Sequence, residues 1–260
     1  LTAAVVADNV ELQLFVASKC PDASRCENLF LPTVLARVGS IVDLRVDYIG
    51  ELDASKPLGV TCMHGDSECE GNAVQLCVRK YFPVSHDIAT LGNHSWFAFL
   101  DCVGHFNHTS ESQIPNNTDA CLASFGVPTD IIDQIDACAA GEEGRTMLHD
   151  SVLRTISRCG HHSSSPPGGC RSCTMLLNGK LACVVDGPGE FIHCPMGHDT
   201  GLWIEAICNE YVGSERPLAC GTRQLPQVSG HSYASTDPRA SADFAVRYFG
   251  AELIGQGMDE

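Results

Sequence analysis

The chain has few basic residues and no long apolar run. Its 260 residues carry 16 lysines and arginines against 32 aspartates and glutamates, so the formal net charge is −16 at pH 7. A chain this acidic is repelled by other polyanions, which argues against nucleic acid or an anionic membrane surface as a partner. No apolar run approaches the ~20 residues that a membrane-spanning helix needs, so no membrane span is predicted.

The sequence also lacks the common patterns of hydrolytic and phosphoryl-transfer sites. It contains no serine–histidine–acid constellation, no phosphate-binding loop, no paired-carboxylate spacing and no internal repeat. It begins at Leu1 without a methionine or a signal peptide, so we expect a processed mature form. We predict no cofactor.

Cysteine, by contrast, is abundant. Fifteen cysteines point to an oxidising compartment, and because the number is odd, at least one thiol is free or pairs outside the chain. Three glycosylation acceptor sites agree with that compartment, at Asn93, Asn107 and Asn116. We therefore expect a glycoprotein of the secretory pathway, in the extracellular space or the endolysosomal lumen.

The first sixty residues predict a β-α-β unit. A strand is expected at residues 10–17, a helix at 26–38 that Pro32 should kink, and a second alternating strand at 41–49. A helical block follows, and then a breaker-rich loop at 160–169.

The last predicted elements are a hairpin and a helix. Residues 174–185 predict a hairpin whose two-residue turn is Asn178-Gly179, and an amphipathic helix is expected at about 200–212. The tail is polar, with one possible helix at 240–254.

This order of elements predicts an α/β protein with a thioredoxin-like fold and an all-helical, disulfide-stapled insertion. The main sheet should have about four strands. The expected organisation is a first thioredoxin-like part, the helical insertion, a second thioredoxin-like part and a C-terminal extension, at residues 8–60, 61–158, 159–213 and 214–260.

The most specific pattern is C-x-H-G-x-x-E-C-x-x-N-x-x-x-x-C, formed by Cys62, His64, Gly65, Glu68, Cys69, Asn72 and Cys77. It closely resembles the signature of the gamma-interferon-inducible lysosomal thiol reductase family, and the resemblance covers roughly residues 10 to 213. Fungal-type members look most similar, since they too carry CPDA, here residues 20–23, in place of Cys-x-x-Cys.

The resemblance implies a thioredoxin-fold reductase that cleaves disulfides of other proteins in endolysosomal or secretory space. Its substrates would be disulfide-containing proteins. His64 and Glu68 of the signature are either catalytic or, in the interpretation we favour, position a loop by hydrogen bonds. The tail beyond about residue 221 is outside the resemblance and suits the binding of a protein partner.

Cys20 is the candidate nucleophile, because it ends the first strand and opens the first helix. Unpaired backbone N–H groups at a helix N-terminus stabilise a thiolate, and Pro21 suits the first helical position. Asp22 acts against this effect, since a neighbouring carboxylate disfavours the thiolate. The alternative is that Cys20 is an inert half of a structural disulfide.

Ala23 stands where a second active-site cysteine is usual, so Cys20 needs another partner. Cys26 is one candidate. If the helix starts at Pro21, however, Cys26 lies ~240° around the helix axis and ~9 Å along it, whereas a disulfide needs Cα atoms within ~7 Å. The pair forms only if residues 21–25 are not helical.

Cys173 is the other candidate partner. In the fold that the resemblance implies, the residue before the hairpin strand is typically a cis-proline packed against the nucleophile, and counting back from Asn178 puts Cys173 there. Cys20–Cys26 and Cys20–Cys173 are then competing pairings between which exchange can occur. A permanent Cys20–Cys173 bond would instead seal the site.

The remaining cysteines are interpreted as structural, with the candidate pairs Cys77–Cys138, Cys102–Cys121, Cys183–Cys194 and Cys208–Cys220. A cluster formed by Cys159, His161, His162, Cys170 and Cys173 also resembles a zinc knuckle. In an oxidising compartment such thiols usually pair, so we predict no metal site.

Two functional hypotheses remain open. The first is a thiol–disulfide oxidoreductase with Cys20 as the nucleophile and Cys26 or Cys173 as the resolving thiol. The second is a redox-inactive structural or binding subunit of a larger assembly, in which a disulfide seals the former active site. The oxidation state and the partner of Cys20 in the folded protein would discriminate between them.

Overall fold

The β-α-β opening places Cys20 between a central strand and the first helix. The computed structural model describes residues 9–83, 91–105, 113–161, 169–187 and 190–221. Strand β1 (Val10–Val16) is followed by helices α1 (Pro21–Leu29) and α2 (Leu31–Val38) and by strand β2 (Val42–Tyr48), which pairs parallel to β1 along its whole length.

The first helix differs from the prediction of a single helix at 26–38. It begins at Pro21 and breaks at Phe30, two residues before the proline that was expected to kink it. Proline lacks an N–H group and its ring clashes with the carbonyl four residues back, so Pro32 is accommodated in the first turn of α2 instead. Pro21 fixes φ at the start of α1 in the same way, which explains the earlier beginning.

A helical segment separates the two halves of the sheet. It follows a two-stranded antiparallel ribbon that the sequence does not reveal, because its strands, β3 (Glu51–Leu52) and β4 (Val60–Thr61), are too short to show alternation. Within the described residues between 66 and 159 every regular element is helical. The α-helices are α3 (Asp66–Tyr81), α4 (Phe97–His105), α5 (Thr118–Ser124), α6 (Thr129–Ala140) and α7 (Glu142–Cys159).

The second half of the sheet is antiparallel. Strands β5 (Thr174–Leu177) and β6 (Lys180–Asp186) form the predicted hairpin, and strand β7 (Glu190–Ile192) pairs with β6. Helix α8 (Thr200–Glu210) follows. The strand order is β2-β1-β5-β6-β7, so the main sheet has five strands and the prediction of about four was wrong.

A parallel β-α-β unit beside an antiparallel hairpin and a final helix is the thioredoxin-like arrangement, and the predicted fold class is confirmed. The core lies on β1, and the rings of Phe30 and Trp203 stack 5.3 Å apart to join the α1–α2 junction to α8. None of the helices in the described part of the chain has both the length and the apolar character needed to cross a bilayer. The tail, including the possible helix at 240–254, lies outside the described residues.

The antiparallel pairing of β1 with β5 determines what faces Cys20. Phe15 lies opposite Thr174 in this pairing, so the residues that follow Phe15 run alongside those that precede Thr174. The start of α1 and the segment that ends at Cys173 therefore meet at one end of the sheet.

Candidate active site

Cys20 lies where β1 leads into α1. It is the N-cap residue of α1, with Pro21 in the first turn, and its side chain caps no backbone group. The side chain is partly exposed, and its sulfur lies 3.7 Å from the carbonyl oxygen of Ser172. The thiol is therefore at a helix N-terminus, where the unpaired N–H groups and the helix dipole favour negative charge.

All fifteen cysteines lie among the described residues, and Cys20 alone remains a free thiol. Seven disulfides take the other fourteen. Four of them join the pairs that the sequence suggests, Cys77–Cys138, Cys102–Cys121, Cys183–Cys194 and Cys208–Cys220. The other three are Cys26–Cys173, Cys62–Cys69 and Cys159–Cys170.

The pairing at the site differs from both alternatives derived from the sequence. Cys20 is bonded neither to Cys26 nor to Cys173, because these two are bonded to each other, with their Cα atoms 6.4 Å apart. The physical reason is the early start of α1. A helix that begins at Pro21 carries Cys26 away from Cys20 and turns it into the core, where it meets Cys173 at the start of β5.

Cys173 occupies the position that the count from the hairpin turn predicts. The peptide bond that precedes it is cis, and its backbone N–H and carbonyl pair with Val185. Cys26 and Cys173 are fully buried, whereas Cys20 reaches solvent. The free thiol is thus the accessible member of the three-cysteine group Cys20, Cys26 and Cys173.

Two residues of the signature pattern hold the backbone just before Cys20. Glu68 and Asn72, four positions apart on α3, are both completely buried. The side-chain oxygen of Asn72 accepts a hydrogen bond from the N–H of Ser18 at 3.0 Å, and a carboxylate oxygen of Glu68 accepts one from the N–H of Lys19 at 3.3 Å. These bonds satisfy donors in a segment that belongs to no strand or helix, so α3 positions the loop that presents the thiol.

His64 belongs to the same network. Its Nδ1 lies 2.6 Å from one oxygen of Glu68, and its backbone N–H donates to the other oxygen at 3.0 Å. The ring itself is exposed. Gly65, which precedes α3, has a φ of +87°, a conformation that favours glycine, and the Cys62–Cys69 disulfide closes this turn onto the helix. The contacts of His64 and Glu68 are thus those of residues that position a loop.

Asp22 is directed toward other partners than the thiol. Its carboxylate forms an ion pair with Arg25 at 2.6 Å and accepts a hydrogen bond from the N–H of Gly187 at 3.0 Å. These contacts offset the negative charge that the sequence places two residues after Cys20. They also tie the first turn of α1 to the end of β6.

Ser172 is a site residue that the sequence interpretation missed. Its carbonyl contacts the sulfur of Cys20, and its hydroxyl accepts a hydrogen bond from the N–H of Ala17 at 2.9 Å. The available signal was its place immediately before Cys173. Ser172 therefore links the end of β1 to the segment that carries the second sulfur.

The cysteines of the zinc-knuckle alternative are paired in disulfides in the structure, so they cannot act as thiolate ligands. Cys159 is bonded to Cys170, and Cys173 is bonded to Cys26. Within the residues that the structure describes, no cluster of histidine, cysteine and acidic side chains is arranged to hold a metal ion. His162 lies outside those residues.

The described glycosylation acceptors lie at the surface. Asn93 and Asn116 are both exposed, and Asn107 lies outside the described residues. Their exposure leaves both side chains accessible for a glycan.

Comparisons with known proteins agree on one family. A profile of the family described as "Gamma interferon inducible lysosomal thiol reductase (GILT)" matches residues 11–125. The chain is 22% identical over 218 residues to a Carassius auratus protein named gamma-interferon-inducible lysosomal thiol reductase, covering 83% of this chain and 73% of that protein. It is 29% identical over 219 residues to an Arabidopsis thaliana gamma-interferon-responsive lysosomal thiol protein, covering 82% and 76%.

The chain is also similar to solved structures, among them the crystal structure of Pseudomonas aeruginosa DsbA. The identity is 12%, the match covers 70% of this chain and 74% of that one, and the TM-score is 0.38.

Proposed function

Because the chain belongs to the gamma-interferon-inducible lysosomal thiol reductase family, we propose that it is a thiol–disulfide oxidoreductase with Cys20 as its nucleophile. Its substrates are disulfides of other proteins. It acts in an oxidising or acidic lumen of the secretory or endolysosomal pathway. The family description and the relatives' names support the reaction class, and the site geometry supports the choice of nucleophile.

The observation that carries the proposal is the state of Cys20. It is the one cysteine of fifteen that stays unpaired, and it is partly exposed at the N-terminus of α1. An accessible sulfur at a helix N-terminus has the access that thiol–disulfide exchange needs and faces the unpaired N–H groups of the first turn.

The reaction is an exchange in two steps. The Cys20 thiolate attacks one sulfur of a substrate disulfide R–S–S–R′, so that a Cys20–S–R bond forms and R′–S⁻ leaves and takes up a proton. A second thiol must then displace R–S⁻ from Cys20. The final reductant is a small-molecule thiol, of which two molecules are oxidised to one small-molecule disulfide for each substrate disulfide reduced.

The compartment is proposed on chemical grounds. Seven disulfides are stable where thiols are oxidised and rare where glutathione keeps them reduced. The eleven histidines offset much of the net charge of −16 at acidic pH, which suits an endolysosomal lumen. The names of the relatives support the same location.

A second candidate function is a redox-inactive structural or binding subunit. It is favoured by Ala23, which is buried in the place of the second cysteine, and by the Cys26–Cys173 bond, which keeps both other sulfurs of the group out of exchange in this state. The C-terminal extension would then serve to bind a protein partner. Under this alternative, Cys20 is a thiol without a resolving cysteine and takes no part in catalysis.

The test is reduction of the disulfides of insulin by a small-molecule thiol, between pH 4.5 and 7.5. The wild-type protein is expected to accelerate the reaction above the rate of the thiol alone, and Cys20→Ser to lose the acceleration completely, because a hydroxyl cannot form the mixed disulfide. The control is the double variant Cys208→Ser/Cys220→Ser, which removes the disulfide that follows α8, outside the three-cysteine group, and is expected to retain the activity. Absence of wild-type acceleration across this pH range would favour the redox-inactive subunit.

A further inference from the structure

We propose that Cys20, Cys173 and Cys26 form a relay, in which Cys20 exchanges with the substrate and the buried Cys26–Cys173 pair takes up and returns the two electrons. The inference rests on the proposed function, because it identifies the resolving thiols of that reaction. In this relay Cys173 is the sulfur that both other cysteines share.

The first support is the juxtaposition of Cys20 and Cys173. The antiparallel pairing of β1 with β5 brings the two segments side by side, and the bond from the N–H of Ala17 to the hydroxyl of Ser172 fastens them. The Cys20 sulfur lies 3.7 Å from the carbonyl of Ser172, which forms the peptide bond to Cys173. Cys20 therefore packs against the core beside Ser172, the residue that precedes Cys173 of the Cys26–Cys173 disulfide.

The second support is that the helix prevents a direct bond between the outer and inner cysteines. Cys20 and Cys26 are six residues apart, which corresponds to ~9 Å along α1, beyond the ~7 Å within which two Cα atoms can be bridged. Cys173, however, lies 6.4 Å from Cys26 between Cα atoms and is also adjacent to Ser172 at the Cys20 sulfur. Transfer between Cys20 and Cys26 must therefore pass through Cys173.

The third support is the difference in exposure. Cys26 and Cys173 are each 0% exposed, so a dissolved thiol or a protein disulfide cannot reach either sulfur directly. Cys20 is partly exposed. It is thus the one sulfur of the group that can contact solvent on one side and the buried pair on the other.

Substrate reduction then runs inward. In the fully reduced group, the Cys20 thiolate attacks the substrate disulfide and R′–S⁻ leaves. The Cys173 thiolate attacks the Cys20 sulfur and releases R–S⁻, and the Cys26 thiolate attacks the Cys173 sulfur and frees Cys20. Two electrons pass to the substrate, two protons follow them, and the Cys26–Cys173 bond of the present structure is the product.

Regeneration runs outward by the reverse steps. The Cys20 thiolate attacks the Cys173 sulfur and frees Cys26, a small-molecule thiol attacks Cys20 and frees Cys173, and a second such thiol frees Cys20. One small-molecule disulfide forms in total. The buried bond is therefore reducible only through Cys20.

The decisive experiment measures how fast a small-molecule thiol reduces the Cys26–Cys173 bond under native conditions, in the wild-type protein and in Cys20→Ser. Released thiols are alkylated and located by peptide mass spectrometry. Because Cys20 provides the route, we expect reduction to be about tenfold slower, or more, in Cys20→Ser. The internal control is the Cys77–Cys138 bond, which is also buried and should react at the same rate in both proteins.

Equal rates for Cys26–Cys173 in the two proteins would overturn the relay. This readout uses no protein substrate, so the two proposals fail separately. If Cys20 forms mixed disulfides and accelerates insulin reduction while the rates stay equal, the function stands and the relay falls. If the rates differ but insulin reduction is not accelerated, the exchange between the three sulfurs stands and the proposed function falls.

A second variant gives an independent reading. In Cys26→Ser, Cys173 has lost its partner, and the relay predicts that it bonds to Cys20, so that thiol titration of the denatured protein finds no free thiol. Without the exchange, both Cys20 and Cys173 stay reduced, and two thiols are found per chain. Two thiols in a folded Cys26→Ser protein would contradict the relay.

Discussion

At the scale of single residues, the position of Cys20 depends on a carboxylate from another element. Glu68 of α3 is completely buried, and its oxygens accept hydrogen bonds from the N–H groups of Lys19 and His64 and lie against the His64 ring. A buried acceptor that satisfies several donors is costly to remove, since each donor left unpaired costs about 1–3 kcal/mol. Any effect of Glu68 on the thiol would therefore pass through the loop that carries Cys20.

We predict that Glu68→Gln slows the reaction of Cys20 with a small-molecule disulfide by about tenfold and lowers the free energy of unfolding by about 1–3 kcal/mol. The amide has the same shape, but its NH₂ group would face donors where an acceptor is needed. The control is Glu70→Gln, an exposed change two residues further along α3, which should alter neither quantity. Loss of stability with an unchanged rate of Cys20 would restrict Glu68 to a structural role.

At the scale of elements, α1 carries a buried acid as well as the nucleophile. Glu27 is fully buried, and desolvation together with the negative charge of Asp101 on α4 raises its pKa from 4.5 to about 8. One of its oxygens has no hydrogen-bond partner among the described residues. On β2, burial raises the pKa of the Tyr48 phenol well above its usual value, and the negative charge of the same carboxyl adds to the effect. Glu27 is therefore held in its neutral form over most of the physiological pH range.

The raised pKa has a definite consequence for stability. Below about pH 4.5 Glu27 is protonated in both the folded and the unfolded chain. The contribution of the neutral carboxyl group to the free energy of unfolding is therefore fully present there. Between about 4.5 and 8 the unfolded chain ionises this group and the folded chain does not, so folding loses stability as the pH rises. We predict that Glu27→Gln removes this loss. Between pH 5 and pH 7.5, its free energy of unfolding should rise by about 3 kcal/mol relative to that of the wild type.

Urea unfolding at both pH values, without reductant, measures the effect. The exposed Glu205→Gln change in α8 is the control and should leave the difference between the two pH values unchanged. A Glu27→Gln protein whose stability falls with pH as steeply as that of the wild type would contradict the prediction. The direction of the effect agrees with the proposed acidic compartment, because the wild-type protein is then more stable at low pH than near neutral pH.

At the scale of the whole molecule, disulfides join helices within the helical insertion and also lie at both of its ends. Cys77–Cys138 joins α3 to α6, and Cys102–Cys121 joins α4 to α5. A cross-link that closes a long loop restricts the unfolded chain, so these bonds stabilise the helices that they join. Disulfides form and persist in oxidising compartments, so this framework agrees with the proposed lumenal location.

We predict that the protein carries N-linked glycan on at least one of Asn93, Asn107 and Asn116 when it is expressed through a secretory pathway. Treatment with an N-glycan amidase should lower the mass and convert each occupied asparagine to aspartate, which peptide mass spectrometry identifies. Changing an occupied asparagine to glutamine should remove that glycan alone. Finding all three asparagines bare would contradict the secretory route.

Much of the fold follows from the sequence because it depends on local patterns. Alternation and helical spacing predict β1, β2, the hairpin and α8, and the Asn178-Gly179 turn takes positive φ at both residues, as a two-residue hairpin turn requires. The boundary errors arose where patterns are weak. Strands of two residues have no period, and the start of α1 depends on Pro21 and a cysteine N-cap rather than on apolar spacing.

The sequence by itself carried the family resemblance, through the signature between Cys62 and Cys77, and suggested four of the seven disulfides, such as Cys183–Cys194 with a separation of 11 residues. Only the tertiary structure decided the pairing at the site. Cys26 and Cys173 are 147 residues apart, and nothing in that separation indicates that they bond to each other. The choice follows from the face that α1 turns toward the sheet: burying Cys26 against β5 brings it to Cys173 and leaves Cys20, at the exposed end of the same helix, as the free thiol.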